Sequence, residues 1–188
     1  MSIERRAAFE LRAAGDHKSP RLAGYAAVYD STSQDLGGFV EIIRPGAFAR
    51  SLQSNAHDPL ALVHHMPHLV LGRRSVGTLR LSEDHRGLAF EIDPPDTTAA
   101  RDLLVSVQRG DVRGASFAFT VPAGGDRWEV RGDRVVRELR DVDLHEITIT
   151  AAPAYVDTSV ALRSLGSLTI DSKPGGRVGA LRRFLATV

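Results

Sequence analysis

Gly114-Ala115-Ser116-Phe117-Ala118-Phe119 is the stretch whose reading decides the fold. Side chains alternate along a β-strand. Phe117, Phe119 and Val121 therefore share a bulky apolar face suited to a core, while Gly114, Ser116, Ala118 and Thr120 share a small one. A face of small residues lets another backbone approach closely. A single hydroxyl at its centre is what a nucleophilic serine requires, although most strand serines only make a hydrogen bond.

Outward from this strand, the preceding segment predicts a helix. Asp96-Thr97-Thr98 can cap it. Ala100, Leu103, Leu104 and Val107 recur at helical spacing. Gly110 suits the left-handed residue that ends a helix. Short strands are predicted over Ala7–Ala13, Arg21–Tyr29, Phe39–Ile43, Pro59–His65, Ser75–Ser82, Leu88–Asp93 and Leu144–Thr150. A half-exposed hairpin is predicted over Arg127–Glu138, and a short helix over Ala47–Gln53. Ser75–Ser82 and Leu88–Asp93 read as a hairpin joined by the five residues Glu83–Gly87. Many short strands with a few helices imply an α+β fold, a β-barrel or sandwich with helices outside.

Composition narrows the function. The chain has 188 residues, which suits one domain with a tail. Hydrophobic residues make up 43%, enough for a packed core. There is no cysteine, which excludes thiol catalysis, disulfides and cysteine-ligated zinc. A net charge of +1 argues against nucleic-acid binding by the whole chain. No apolar run reaches the ~20 residues of a membrane helix. The start lacks a signal peptide's apolar stretch, and a soluble intracellular protein is expected. The domain is expected over residues 1–164. Residues 165–188 form a basic tail with Lys173, Arg177, Arg182 and Arg183 against Asp171 alone, to be read as a short helix or partner-binding tail or as a frayed end.

Three places carry reactive groups. Ser116 is the first. The second is His64-His65-Met66-Pro67-His68. Adjacent histidines on an extended backbone point apart, which disfavours one shared metal ion. A neutral imidazole there could take a serine's proton and return it. The third is Leu144-His145-Glu146-Ile147-Thr148, where alternation places His145 with Ile147, and Glu146 with Leu144 and Thr148. Either Glu146 or His145 could hold a histidine's tautomer, and a surface carboxylate or a core histidine is the plain alternative. Asp93 and Asp96 read as helix-start residues. Arg73-Arg74 read as a solvated loop.

Together, Arg21–Tyr29, Phe39-Val40-Glu41-Ile42-Ile43-Arg44-Pro45-Gly46-Ala47-Phe48, Leu62-Val63-His64-His65, Leu71-Gly72-Arg73, Gly87-Leu88, Val112–Phe119, Leu144–Thr150 and Pro153-Ala154-Tyr155 resemble the prohead (capsid maturation) proteases of tailed phages. Coverage is roughly residues 20–162. The resemblance maps the family's nucleophile onto Ser116, its histidine onto His65 and its usual glutamate onto Glu146. His64 and Met66 depart from the flanking residues the family commonly carries. The resemblance implies a mostly antiparallel β-barrel flanked by helices, like the herpesvirus assembly proteases. Those use two histidines, which keeps His145 as an alternative third member.

It further implies a serine endopeptidase that cleaves capsid or scaffold protein inside assembling proheads in the host cytoplasm, in a family that often cleaves itself as well, which makes residues 165–188 a candidate cleavable or packaging segment. The implied partners are the major capsid protein, its scaffolding segment and further copies of the chain, with no nucleic acid, membrane, metal or organic cofactor. A catalytically idle assembly partner is the competing class. A metal-dependent barrel enzyme using the histidine loop is a third.

Overall fold

The computed structural model describes residues 2–8, 10–14 and 20–151. The basic tail and the expected boundary at residue 164 lie outside the described residues. Twelve strands and two helices follow in the order β1 (Glu4–Ala8), β2 (Glu10–Ala14), β3 (Arg21–Val28), β4 (Val40–Ile43), α1 (Ala49–Gln53), β5 (Leu60–Val63), β6 (Met66–Arg73), β7 (Leu79–Glu83), β8 (Gly87–Ile92), α2 (Thr98–Arg109), β9 (Gly114–Thr120), β10 (Asp126–Arg131), β11 (Arg134–Leu139) and β12 (Asp143–Thr150).

The architecture is mostly β with few helices. The expected closed barrel is not formed among the described residues. Hydrogen bonds divide the described strands among three sheets, ordered β1-β9-β12-β5-β6, β10-β11-β4 and β2-β3-β8-β7. Pairing is mainly antiparallel, but β11–β4 and β12–β5 run parallel. The barrel expectation failed because strand periodicity reports which face is buried and not which strand lies alongside.

β9 behaves as its alternation predicts. Phe117 and Phe119 stack on each other at 5.1 Å, and Phe48 packs edge-on to Phe117 at 5.4 Å. They join a core with Leu22, Leu88, Ile92, Ile147 and Ile149. Helix α2 lays Ala100, Leu103, Leu104 and Val107 on this core. Thr97 caps it, its hydroxyl accepting from the Ala100 N–H at 3.3 Å, and Gly110 ends it at φ 82°.

Several elements depart from the sequence reading. Strand pairing in the predicted β7–β8 hairpin begins only at Leu79, and the connection is the three residues Asp84–Arg86. Gly87 is required there, because a Cβ would sit 2.0 Å from the Ala27 carbonyl oxygen. The histidine segment continues into a strand, β6. β11 is buried from Val135 to Leu139, not half-exposed, because β4 pairs along it. Arg74 is no solvated loop residue: its guanidinium donates to the Ser54 carbonyl at 3.0 Å and to that of Leu52, closing the C-terminal end of α1.

Candidate active site

The site lies on the small face of the five-stranded sheet, and strand register builds it row by row. Paired residues on neighbouring strands share a face. One row runs Arg5, Ala118, Glu146, Leu60, and the next runs Ala7, Ser116, Thr148, Leu62. Gly114 pairs with Thr150 beyond them. Ser116 therefore sits between an alanine and a threonine. It is 0% exposed, and its Oγ has no hydrogen-bond partner among the described residues.

β12 carries a bulge between Leu144 and Glu146. The extra residue is His145. This corrects the simple alternation. Leu144 pairs with Phe119 and lies in the core, whereas Glu146 pairs with Ala118 on the small face. His145 leaves the row: its Nε2 lies 3.0 Å from the Thr120 hydroxyl and its ring meets that of His57 edge-on at 5.2 Å. Burial, and next the neighbouring His57, lower its pKa, while Asp143 and Glu146 oppose them.

His64 and His65 are the two central residues of the tight turn between β5 and β6, with φ of 49° and 58°. Two-residue hairpins favour this left-handed pair of conformations, usually met by Asn-Gly. A residue bearing a Cβ pays for it with about 1–2 kcal/mol. Neighbouring β12 holds the turn in place. The His64 N–H donates to the Ile149 carbonyl at 3.1 Å, and the His65 N–H donates to the Thr148 hydroxyl at 2.9 Å. Thr148 passes its own proton to the Leu62 carbonyl at 3.1 Å. Strain maintained by surrounding contacts is often found at functional sites.

The two rings then diverge. Nδ1 of His64 meets the Thr150 hydroxyl at 3.1 Å. Nδ1 of His65 meets the Glu146 carboxylate in a short hydrogen bond. The opposite nitrogen, His65 Nε2, is buried and has no partner among the described residues. His68 lies exposed on β6, and among the described residues no group of three or more His, Asp or Glu is placed to hold a metal. Thr148 and Arg5 are the site residues that sequence reasoning missed. Thr148 was legible only as a strand threonine, and Arg5 lay outside the predicted strands.

Chemically, the cluster offers a hydroxyl, an imidazole with one nitrogen free and the other on a carboxylate, and strands that fix all three. Groups of this kind are what serine hydrolases use. The chain belongs to the caudovirus prohead serine protease family, whose sequence pattern matches residues 7–169. The prohead protease of Enterobacteria phage HK97 is similar: 29% identical over 154 residues, or 81% of this chain and 64% of that protein. The chain thus spans less than two thirds of that relative's length. A solved structure of the bacteriophage T4 capsid assembly protease aligns over 78% of this chain and 98% of its own, with 6% identity and a TM-score of 0.46.

Proposed function

We propose that the chain is a serine endopeptidase that cleaves capsid or scaffold protein, and itself, during prohead maturation. One observation carries the reading. Ser116 Oγ and His65 Nε2 are both buried without partners among the described residues, and Thr148 links the two residues, pairing with Ser116 in register and accepting from the His65 N–H. Buried polar groups are rarely left unsatisfied, and exceptions call for an explanation. A hydroxyl and the nitrogen that takes its proton explain both, since such bonds are often long before substrate binds.

In the mechanism, Ser116 attacks the scissile carbonyl while His65 Nε2 accepts its proton. His65 then protonates the leaving amine, and water repeats the cycle on the acyl-enzyme. Glu146 holds the Nδ1–H tautomer and stabilises the imidazolium. Proton transfer of this kind contributes about 10²–10⁴ in rate. The bond from Glu146 to His65 and the turning of His145 toward Thr120 favour Glu146 as third member. The substrates and the setting, assembling proheads in the host cytoplasm, rest on family membership.

Ser116 has no exposed surface, so a substrate reaches it only after a local displacement. The same fact favours a second reading, an assembly partner whose serine is idle. Co-expression with the neighbouring capsid gene, followed by intact mass measurement of the capsid protein, separates the two. A shortened capsid subunit with wild type and a full-length one with Ser116→Ala is the expected result. Shortening that persists in the variant would overturn the nucleophile, and full-length subunits in correctly assembled particles from both would favour the idle partner.

A further inference from the structure

His65 Nδ1 is contested. The Glu146 carboxylate and the Arg5 Nε, 3.2 Å away, are both within hydrogen-bonding reach of it, the one able to accept from it and the other to donate to it. Arg5 is also 3.9 Å from Glu146. A single ring nitrogen cannot donate to the carboxylate and accept from the guanidinium at once. With the proton on Nδ1, Glu146 is satisfied and Nε2 is free to act as base. With the proton on Nε2, Arg5 is satisfied and the nitrogen proposed as the base can accept nothing.

Arg5 does not arrive there by chance rotation of a surface chain. It opposes Ala118 in β1–β9 pairing, and Ala118 opposes Glu146, so the guanidinium reaches across a methyl group to the pair. Its neighbours point to the other face and are anchored. Arg6 donates to Glu41 at 2.7 and 2.8 Å, and Glu4 accepts from Arg137 at 2.6 and 3.0 Å. All four residues are buried. That anchorage fixes the register of β1 and with it the position of Arg5. The other groups about the ring are Glu146 from β12 and His64, which is turned toward Thr150.

Resting on the reading of His65 as the base, we propose that Arg5 is a positioning residue that competes with Glu146 for His65 Nδ1 and restrains the base. It does so by favouring the Nε2–H tautomer and by setting a positive charge against the imidazolium. The N-terminal strand thereby regulates the site that its anchoring serves.

The test uses the full chain labelled with ¹⁵N-histidine. Long-range ¹H–¹⁵N spectra report tautomer and titration for His65, assigned with His65→Gln. In Arg5→Met the neutral ring moves toward Nδ1–H. Arg5→Lys, which keeps a charged donor, returns the tautomer toward wild type. A tautomer unchanged in Arg5→Met, or one moved toward Nε2–H, would overturn the proposal. Labelling of Ser116 by an aryl fluorophosphonate across pH gives the second readout, with its acid limb moving upward in Arg5→Met. Complete absence of labelling in wild type would count against the nucleophile, while the spectra still decide the role of Arg5. A melting temperature close to wild type is expected, since the Arg5 side chain is 45% exposed. A loss of labelling with an unmoved acid limb would mark a merely structural role and also overturn it.

Discussion

Thr148 shows how one hydroxyl can place two others. It is 0% exposed, accepts from the His65 N–H and donates to the Leu62 carbonyl. Replacing it with valine keeps the shape and removes both bonds. An unsatisfied buried group costs about 1–3 kcal/mol. For a chain of this size that lowers the melting temperature by roughly 3–10 °C. The turn that holds His65 at φ 58° loses its support on the side facing Ser116. Small misplacements of a catalytic group cost on the order of 10²-fold. Thr148→Val is therefore expected to lose about 10-fold or more in turnover. Thr148→Ser keeps the hydroxyl and stays near wild type. Equal activity in the two variants would show that the hydroxyl does not set the position of His65.

At the scale of elements, legibility followed the kind of residue that was buried. Helix α2 could be read from apolar spacing and caps because an apolar face against a core leaves that signature. β9 could be read for the same reason. β1 could not, because its buried residues are Glu4 and Arg6, and charge in a sequence reads as surface. The bulge at His145 is invisible to a rule of strict alternation, so the sequence could not choose between Glu146 and His145, and it misplaced Leu144. The two histidines of the β5–β6 turn occupy positions where Asn-Gly is usual, and no turn signal marks them.

The buried network that hides β1 makes its own prediction. Glu41 accepts from both Arg6 and Arg137, and Arg137 is held charged although buried, its pKa raised against the cost of burial by Glu4, Glu41 and Asp126. Removing one member of a buried pair typically costs 3–5 kcal/mol, about the value expected for Glu41→Gln in urea unfolding. An unchanged urea midpoint would mean that water reaches these charges.

At the scale of the whole molecule, a buried imidazole and an ion-paired carboxylate are expected to mark acid stability in separate pH ranges. His145 has a lowered pKa, first from burial and then from His57, with Asp143 and Glu146 opposing. Unfolding returns it to an ordinary imidazole value of about 6.5. Below that value the unfolded chain binds the proton more readily than the folded one, so this contribution is complete above the ordinary value and is lost as pH drops from there toward the folded one. One proton gives a slope of at most about 1.4 kcal/mol per pH unit. Glu138 acts lower on the scale. The hydrogen bond from Arg44, with further help from Arg140 and Arg131, holds its carboxyl at about 2 against an ordinary 4.5. Its contribution is complete above the ordinary value and is lost as pH falls from there toward 2. Urea midpoints measured from pH 8 downward should therefore decline first near neutrality and again in the carboxylate range. His145→Gln should flatten the first decline and leave the second, whereas Glu138→Gln should lower stability at pH 7 and weaken the second. If His145→Gln left the near-neutral slope unchanged, the burial of this imidazole would have no share in the stability of the fold.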